Sequence, residues 1–365
     1  MKILYYYQNL GTVMYTWQIY HIVGELAHYN CEVEIINPKD FETVDEANER
    51  LLKKVKETKI DLFMTCHNES LLYISTLKEI KSLGIPTLLF CPDNLLAPFN
   101  HRHIAPLFDL VWLTSKETEY LFKRWKCNTV FLPYAASPFF LRPDFQQTEL
   151  PYIGFVGTPH GSRIDRINKL LAAGLPVCVH TRSNAFETKL ISAPLDSYAK
   201  ALVDSIRYPI GIKLVCGSVK DKLMKHRKLL ENNPNLRRES QVPMEKLAAK
   251  NCAYALVLSF TEAKSTGVLK NPVPIVNLRN FEIPMSGGLQ ITRYTEELAS
   301  YFENDREIIL CRDDDEFNEK ARFYLRPDNH ALRLEMKKAA RARAEKQHTW
   351  MCRFEVIFNR LGLKN

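Results

Sequence analysis

Short apolar runs alternate with amphipathic segments along most of the chain. In the first part, such runs occupy residues 2–7, 32–36, 60–65, 87–91, 110–114 and 129–132, and stretches with helical spacing separate them. The runs are rich in aliphatic, β-branched and aromatic residues and are predicted to be strands. Strands that alternate with helices specify a parallel sheet covered on both faces. The first part of the chain is therefore predicted to be a Rossmann-like, doubly wound α/β domain.

A proline-rich, aperiodic segment interrupts this pattern at residues 133–151. The alternation then restarts, with predicted strands at 152–157, 177–180, 254–258 and 289–292. A chain of 365 residues has the length of two domains. We predict two Rossmann-like, doubly wound parallel-sheet domains, 1–140 and 151–347, facing each other across a cleft.

Membrane-spanning and disulfide-stabilised classes are not indicated. Polar residues interrupt the apolar start of the chain before it reaches the length of a signal peptide, and no run approaches the roughly 18 apolar residues of a membrane span. The nine cysteines are widely spaced, without a Cys-x-x-Cys pair, which is typical of reduced, buried thiols and not of a zinc site. We expect a cytoplasmic protein without a bound metal.

The net charge of +8 is concentrated in part near the carboxy-terminal end. The basic residues there are Arg333, Lys337, Lys338, Arg341, Arg343 and Lys346. A run of this kind on a helix is most simply a solvated face. The alternatives are peripheral contact with the inner face of a membrane, or with a lipid phosphate on an acceptor. Nucleic acid is the least favoured partner, because no recognisable binding module accompanies the charge.

The most informative segment for chemistry is residues 277–288. Asn277 or Asn280 can cap a short helix, and the glycines at 287 and 288 can end it. Such a helix start suits a diphosphate, to which Arg279 can add a bidentate contact. Glu282 can accept hydrogen bonds from ribose hydroxyls. The simpler interpretation is that the asparagines only cap and the glutamate only favours the helix dipole.

The string Asn-Leu-Arg-Asn-Phe-Glu at 277–282, with its Gly-Gly turn and following strand, resembles a carboxy-terminal signature of CgeB-like glycosyltransferases. These proteins, related to spore maturation protein B, are group 1 transferases of the GT-B fold. Further similar stretches are 155–157 with Arg163, 132–143, and the closing His348-Thr349-Trp350 with Arg353-Phe354. The resemblance covers most of residues 87–360 and is weakest over 181–245.

The resemblance implies that a nucleotide-diphosphate sugar, the donor, binds mainly to the carboxy-terminal domain. It assigns Glu282 to the ribose and Arg163 and Arg279 to the diphosphate, and it places Gly11 and Thr12 opposite them on the other domain. The remaining donor-binding candidates are Gly157, Thr266, Asn277 and Asn280. Members of the family need no metal or other cofactor, because cations and helix starts stabilise the leaving phosphate. The final helix, about 348–365, is expected to pack back on the first domain.

One position departs from the family pattern. Many group 1 enzymes carry a second glutamate eight positions before the equivalent of Glu282, where it contacts the sugar, and this chain has Pro274. The loop from about 261 to 274 must then contact the sugar differently, with Lys264, Ser265, Thr266 or Asn271 as candidates. The identity of the sugar stays open.

Two residues of the first domain are candidate catalytic bases. Asp93 follows a predicted strand directly, and His67 follows another. Each also has a structural interpretation, as a turn aspartate and an ordinary histidine. If the reaction retains anomeric configuration, the leaving phosphate can itself accept the proton. The run Asp313-Asp314-Asp315 is interpreted as a helix cap and not as a metal-binding Asp-x-Asp motif.

These observations predict a hexosyltransferase of the cell envelope. It would move a hexose from a UDP- or GDP-sugar to a surface glycan or a lipid-linked acceptor in polysaccharide biosynthesis, without metal and with retention. The alternatives are a nucleotide-sugar epimerase of the same architecture, or an inactive GT-B relative that only binds sugar nucleotide. A dinucleotide oxidoreductase is disfavoured, because residues 8–13 lack the glycine fingerprint.

Overall fold

The computed structural model describes residues 1–159, 161–181, 201–224 and 228–363. Clustering of contacts divides the chain into two compact units. Unit 1 comprises residues 1–140 and 349–365, and unit 2 comprises residues 141–348. Each unit contains one six-stranded sheet in which all pairings between strands are parallel. The predicted fold class, two Rossmann-like doubly wound sheets, is confirmed.

Unit 1 has the strand order β2-β1-β3-β4-β5-β6. Its elements in chain order, with short 3-10 turns between some of them, are β1 (Lys2–Tyr6), α1 (Val13–Gln18), a π-helical turn (Ile19–Val23), α2 (Gly24–Ala27), β2 (Glu32–Ile36), α3 (Val44–Glu57), β3 (Leu62–Thr65), α4 (Ile74–Ser82), β4 (Thr87–Cys91), β5 (Leu110–Leu113), α5 (Glu119–Arg124) and β6 (Thr129–Phe131). All six strands predicted from the sequence are present. The central ones are fully buried, which explains their unbroken apolar runs.

Unit 2 has the strand order β12-β11-β10-β7-β8-β9. Its elements are β7 (Leu150–Val156), α6 (Ser162–Ala172), β8 (Val177–His180), α7 (Pro209–Leu223), β9 (Leu236–Glu239), α8 (Leu247–Ala253), β10 (Tyr254–Leu258), α9 (Arg279–Met285), β11 (Gln290–Arg293), α10 (Glu296–Tyr301), β12 (Ile309–Cys311), α11 (Asp314–Leu325) and α12 (His330–Gln347). The sequence reading did not include the two edge strands, β9 and β12. The first is polar and the second has only three residues.

The last helix, α13 (Trp350–Leu361), belongs to unit 1. The indole of Trp350 is fully buried and packs edge-on against Trp112 of β5, with ring centroids 5.9 Å apart. Arg353 donates from Nε to the carbonyl of Pro133 at 3.0 Å, and Thr349 caps the helix by accepting from the N–H of Cys352. These contacts make α13 part of the core of unit 1.

The basic run on α12 is not a solvated face, which corrects the sequence interpretation. Arg333, Lys337 and Arg341 are only 4%, 3% and 8% exposed. Arg333 and Lys337 both pair with Glu149, and Arg341 donates to the carbonyls of Leu141 and Met285. The charges are buried because each has an anionic or carbonyl partner within unit 2. Lys338 and Lys346 remain exposed.

Within the described ranges, no helix combines the length and the apolar character that crossing a bilayer requires.

Candidate functional site

Two arginines of unit 2 lie beyond the carboxyl end of β7. Gly157 ends this strand with a φ of 157°, and Arg163 follows on the first turn of α6. Arg279, at the start of α9, reaches back to donate from Nη1 to the carbonyl of Val156. Burial and the neighbouring Arg279 lower the pKa of Arg163, so the two guanidinium groups repel each other. The structure thus brings together the two predicted phosphate ligands at the predicted end of the sheet.

Arg163 lacks a carboxylate partner in the part of the chain that the structure describes. Among the described residues, no Asp or Glu oxygen lies within 4.0 Å of its guanidinium. Its Nη1 makes only a long contact of 3.5 Å with the carbonyl of Thr158, and the guanidinium lies over the ring of Phe260, 5.4 Å from the centroid. A positive charge held on an aromatic ring beside a second positive charge is a suitable site for an anion.

The asparagines of the 277–282 string hold its turn. The N–H of Asn277 donates to Oδ1 of Asn280 at 2.9 Å, and the N–H of Arg279 donates to Oδ1 of Asn277 at 3.0 Å. Asn280 is fully buried and donates to Oγ of Ser259, while Asn277 donates to the carbonyl of Phe260. Asn280 therefore holds Asn277, which in turn accepts from the N–H of Arg279. The assignment of Asn280 as a donor-binding residue stays a prediction.

Glu282 lies one turn after Arg279 and is 4% exposed. Its Oε2 is 3.6 Å from Nε of Arg279. The pair orients the carboxylate of Glu282 beside the guanidinium of Arg279. The helix ends at Met285, and Gly287 follows with a φ of 71°, as the Gly-Gly turn predicted.

The loop after β10 contains an ion pair that the sequence reading did not single out. Glu262 forms an antiparallel bridge with Pro274, and its carboxylate pairs with Arg166. Arg166 lies three residues after Arg163, a spacing that places both on one face of α6. This spacing was the sequence signal by which Arg166 could have been identified. Residues opposite each other in such a bridge project from the same face, so Glu262 supplies a carboxylate beside the position that Pro274 occupies.

The sugar-contact candidates on this loop differ in accessibility. Thr266 is fully buried, donates to the carbonyl of Ala263 at 2.7 Å and accepts from the N–H of Val273, so it stabilises the loop. Its assignment as a donor-binding residue stays a prediction. Ser265 is partly exposed and Asn271 is exposed. The side chain of Lys264 lies outside the described part of the structure.

The catalytic candidates belong to unit 1. Asp93 is exposed just beyond the end of β4. His67 accepts a hydrogen bond on Nε2 from the N–H of Gln8 at 2.8 Å, and its ring stacks on Tyr7. Burial and the neighbouring His101 lower the pKa of His67 to about 4. Because its basic nitrogen is already an acceptor, His67 is not a suitable general base, and Asp93 is the remaining candidate.

Gly11 and Thr12 also lie in unit 1, between β1 and α1. Gly11 has a φ of 69° and donates to Oδ1 of Asn9, and Thr12 is the residue that precedes α1. On unit 2, Asp313 accepts from the N–H of Glu316 at 2.8 Å. This hydrogen bond confirms the capping interpretation of the aspartate run.

Comparison with known proteins adds a family match and a fold match. Residues 200–359 match the family model described as "Glycosyl transferase-like". The Anabaena protein HepE, solved in complex with UDP and glucose, is 12% identical with a TM-score of 0.58, and the alignment covers 99% of both chains. An alpha-glucosyltransferase solved with UDP-glucose and DNA containing an abasic site is 12% identical with a TM-score of 0.62, over 99% of this chain and 98% of that one. The protein has the GT-B fold.

Other GT-B structures agree with this conclusion. A glycosyltransferase from Rickettsia africae is 10% identical with a TM-score of 0.55, over 99% of this chain and 98% of that one. No curated protein sequence matches at a significant level. Together, the family match and the GT-B fold support a glycosyltransferase. Arg279 and Glu282 lie inside the matched region, and Arg163 lies before it.

Proposed function

We propose that the protein transfers a hexose from a UDP- or GDP-sugar to a surface glycan or a lipid-linked acceptor. The family match and the GT-B fold support the class of reaction, and two structural neighbours were solved with UDP or UDP-glucose. The observation that carries the proposal is the pair of neighbouring arginines, Arg163 and Arg279. Among the described residues, Arg163 has no carboxylate within 4.0 Å and Arg279 forms an ion pair only with Glu282, so an anionic ligand would relieve the repulsion between the two arginines.

A diphosphate suits this pair because guanidinium groups bind phosphate oxygens in a bidentate fashion. Glu282 would then accept from the ribose hydroxyls, since its carboxylate is held beside Arg279. The sugar would lie near the loop that carries Glu262. The arginines would also stabilise the charge that develops on the leaving diphosphate, and we therefore propose a reaction without a metal ion.

In the transfer step, the acceptor hydroxyl forms a bond to the anomeric carbon while the bond from that carbon to the phosphate oxygen breaks. The hydroxyl proton goes to the leaving phosphate in a retaining reaction or to Asp93 in an inverting one. We propose the retaining route, in which no protein base is required. Substitution of Asp93 by Asn separates the two routes, because only the inverting one needs the carboxylate.

The acceptor proposal rests on the resemblance to group 1 enzymes. Half of the basic residues of the run on α12 are engaged in buried contacts, which weakens the case for peripheral membrane contact. Because nucleotide sugars are cytoplasmic metabolites, we propose a cytoplasmic site of action.

The decisive experiment is calorimetric titration of the full chain with UDP, GDP, ADP, dTDP, CMP and NADH. We expect selective binding of UDP or GDP. Arg163→Ala and Arg279→Ala should each weaken that binding by about tenfold to a hundredfold, the effect of one charged hydrogen bond. Arg306→Ala is the matched control, because Arg306 is an exposed arginine in an ion pair with Glu303. The arginine site would be excluded if the natural protein and these three variants bound the nucleotide equally well.

A second measurement separates the transferase from its alternatives. The protein is incubated with the selected nucleotide sugar, and release of nucleoside diphosphate and the configuration of the sugar are followed. Release that depends on an added glycan or lipid-linked acceptor supports transfer. Conversion of the sugar while it stays attached to the nucleotide identifies an epimerase, and binding without either reaction identifies an inactive relative.

A further inference from the structure

A second polar cluster lies in unit 2, on the strands β8, β9 and β10. Cys178 and His180 are two residues apart on β8, so their side chains project from the same face of the sheet. Glu239, the last residue of β9, is the register partner of His180. Tyr254, at the start of β10, contacts both Cys178 and His180 through its hydroxyl. None of these residues belongs to the donor site proposed above.

The three potential ligand atoms lie close together, at separations up to somewhat larger than those of a bound zinc site. Sγ of Cys178 is 3.9 Å from Nε2 of His180, which is 3.5 Å from Oε2 of Glu239. All three atoms lie within 4.8 Å of one another. Zinc binds sulfur, nitrogen and oxygen at about 2.0–2.3 Å with tetrahedral geometry, which puts the ligand atoms roughly 3.3–3.6 Å apart. Side-chain movements of up to about an ångström would bring the three atoms to these separations.

The orientation of His180 favours metal binding. Its Nδ1 is 3.1 Å from the carbonyl of Ser240. A carbonyl only accepts, so Nδ1 carries the proton and Nε2 has a lone pair, which accepts from the hydroxyl of Tyr254. Zinc must take the place of this hydroxyl on Nε2. Histidines that bind zinc characteristically donate their other ring N–H to a carbonyl or carboxylate in this way.

We propose that Cys178, His180 and Glu239 bind a zinc ion that fastens the edge strand β9 to β8. On binding, the thiol of Cys178 releases its proton to solvent, and one thiolate and one carboxylate neutralise the charge of the ion. The hydroxyl of Tyr254, 3.2 Å from Sγ, then donates to the coordinated sulfur. The proposal is independent of the sugar-transfer function.

Two cations compete with the ion for Glu239. Nζ of Lys250 is 3.1 Å from Oε2, the oxygen that faces His180, and Nε of Arg237 is 2.8 Å from Oε1. Zinc must displace Lys250 from the shared oxygen. Removal of this amine should therefore strengthen zinc binding, a result that adventitious binding to surface groups would not give.

The test is a zinc titration of the full chain, first freed of metal with a chelator, against a chromogenic competitor. We expect one ion per chain at submicromolar affinity. Cys178→Ser and His180→Gln should each weaken binding by about a hundredfold or more, since each removes a ligand. Cys216→Ser is the matched control, because Cys216 is an exposed thiol outside the cluster. Lys250→Met should bind zinc more tightly than the natural protein.

Cobalt(II) provides a second readout that does not depend on a variant folding. The natural protein loaded with cobalt should show a near-ultraviolet thiolate-to-metal absorption band and intense visible bands of a tetrahedral ion, and Cys216→Ser should show both. The proposal is overturned if the natural protein binds neither ion. It is also overturned if Cys178→Ser and His180→Gln, shown by circular dichroism to be folded, bind zinc as the natural protein does.

Discussion

The carboxylate of Glu25 accepts a hydrogen bond at 2.7 Å from the backbone N–H of Met351, a residue 326 positions along the chain. Glu25 lies on α2 and is completely buried, and Met351 is in the first turn of α13. A carboxylate at the start of a helix satisfies a donor that has no partner within the helix. The same burial raises the pKa of Glu25 to about 7. The carboxyl group of Glu25, which anchors α13, therefore titrates near neutral pH.

Replacing Glu25 by Gln should change the pH dependence of stability. The pKa of Glu25 rises from 4.5 to about 7 on folding, so between these pH values the folded chain keeps a proton that the unfolded chain releases. Stability of the natural protein should fall as pH rises through this window, by about 3 kcal/mol. Glutamine retains the hydrogen-bond acceptor without the charge. The Tm of Glu25→Gln, taken relative to that of the natural protein, should therefore be several degrees higher at pH 8 than at pH 5.

Thermal unfolding followed by circular dichroism at the two pH values measures this effect. Glu57→Gln is the control, because Glu57 is an exposed glutamate at the end of α3. A difference in Tm between Glu25→Gln and the natural protein that is the same at pH 5 and pH 8 would show that Glu25 does not titrate in this range.

Removal of Glu149 should destabilise unit 2 strongly. Its carboxylate pairs with Arg333 and Lys337, whose side chains are 5% and 4% exposed. Glu149→Ala leaves two buried cations without their anion, and we expect a loss of about 3–5 kcal/mol. Burial raises the pKa of Glu149, but the two cations outweigh it and hold the pKa below its ordinary value. The stabilisation should therefore be present at neutral pH and be lost in acid.

Urea unfolding of the variant at pH 7 gives the magnitude. Glu303→Ala is a suitable comparison, since its pair with Arg306 is exposed and should contribute only about 0–1 kcal/mol. Similar losses for the two variants would mean that the buried network contributes no more than a surface pair.

Gly287 should not tolerate alanine. Its φ is 71°, and a Cβ there would lie 2.7 Å from Cβ of Pro143 and 2.8 Å from the ring of Phe145. Left-handed strain adds about 1 kcal/mol and overpacking about 1–3 kcal/mol. Gly174 has nearly the same φ, 75°, with nothing within 4 Å, so Gly174→Ala isolates the backbone cost. Chemical unfolding should show a loss for Gly287→Ala that exceeds the control by at least about 1 kcal/mol.

The pH dependence of turnover should show no ionisation of a histidine that acts as the general base. His67 has a pKa near 4 and its Nε2 already accepts from the chain at Gln8. We expect a profile of kcat against pH without a limb near 6.5, and a change of less than about threefold in kcat for His67→Gln, far below the factor of about 100 that loss of a general base causes. A limb near 6.5 that disappears in His67→Gln would restore His67 as the base.

The regular part of the fold could be predicted because a fully buried parallel strand is apolar at every position. The strands Thr87–Cys91 and Tyr254–Leu258 have the bounds that the sequence indicated. Edge strands do not carry this signal, and Leu236–Glu239 has one half-buried leucine followed by charged residues. Residues 15–29 have the spacing of a regular helix, yet they contain the π-helical turn Ile19–Val23, where the buried His21 accepts from the N–H of Ser137.

The candidate site was predictable where residues are adjacent in sequence and hidden where the sheet brings distant strands together. Arg279 and Glu282 share one turn of helix, so their spacing indicated a common role. Cys178 and His180 are both on β8, but Glu239 is on β9, and no local sequence motif links it to them. Charge alone was misleading on α12, because burial depends on the partner, Glu149, which is 184 residues away from Arg333.

The return of α13 to unit 1 fixes an order of events during synthesis. The ribosome makes residues 141–348, all of unit 2, after the first 140 residues and before the helix Trp350–Leu361. At a synthesis rate of about 5–20 residues per second, roughly 10–40 s pass between completion of the sheet of unit 1 and synthesis of Trp350, whose side chain covers that of Trp112. During that interval the nascent chain exposes aromatic surface, and this is when a chaperone would be most useful to it.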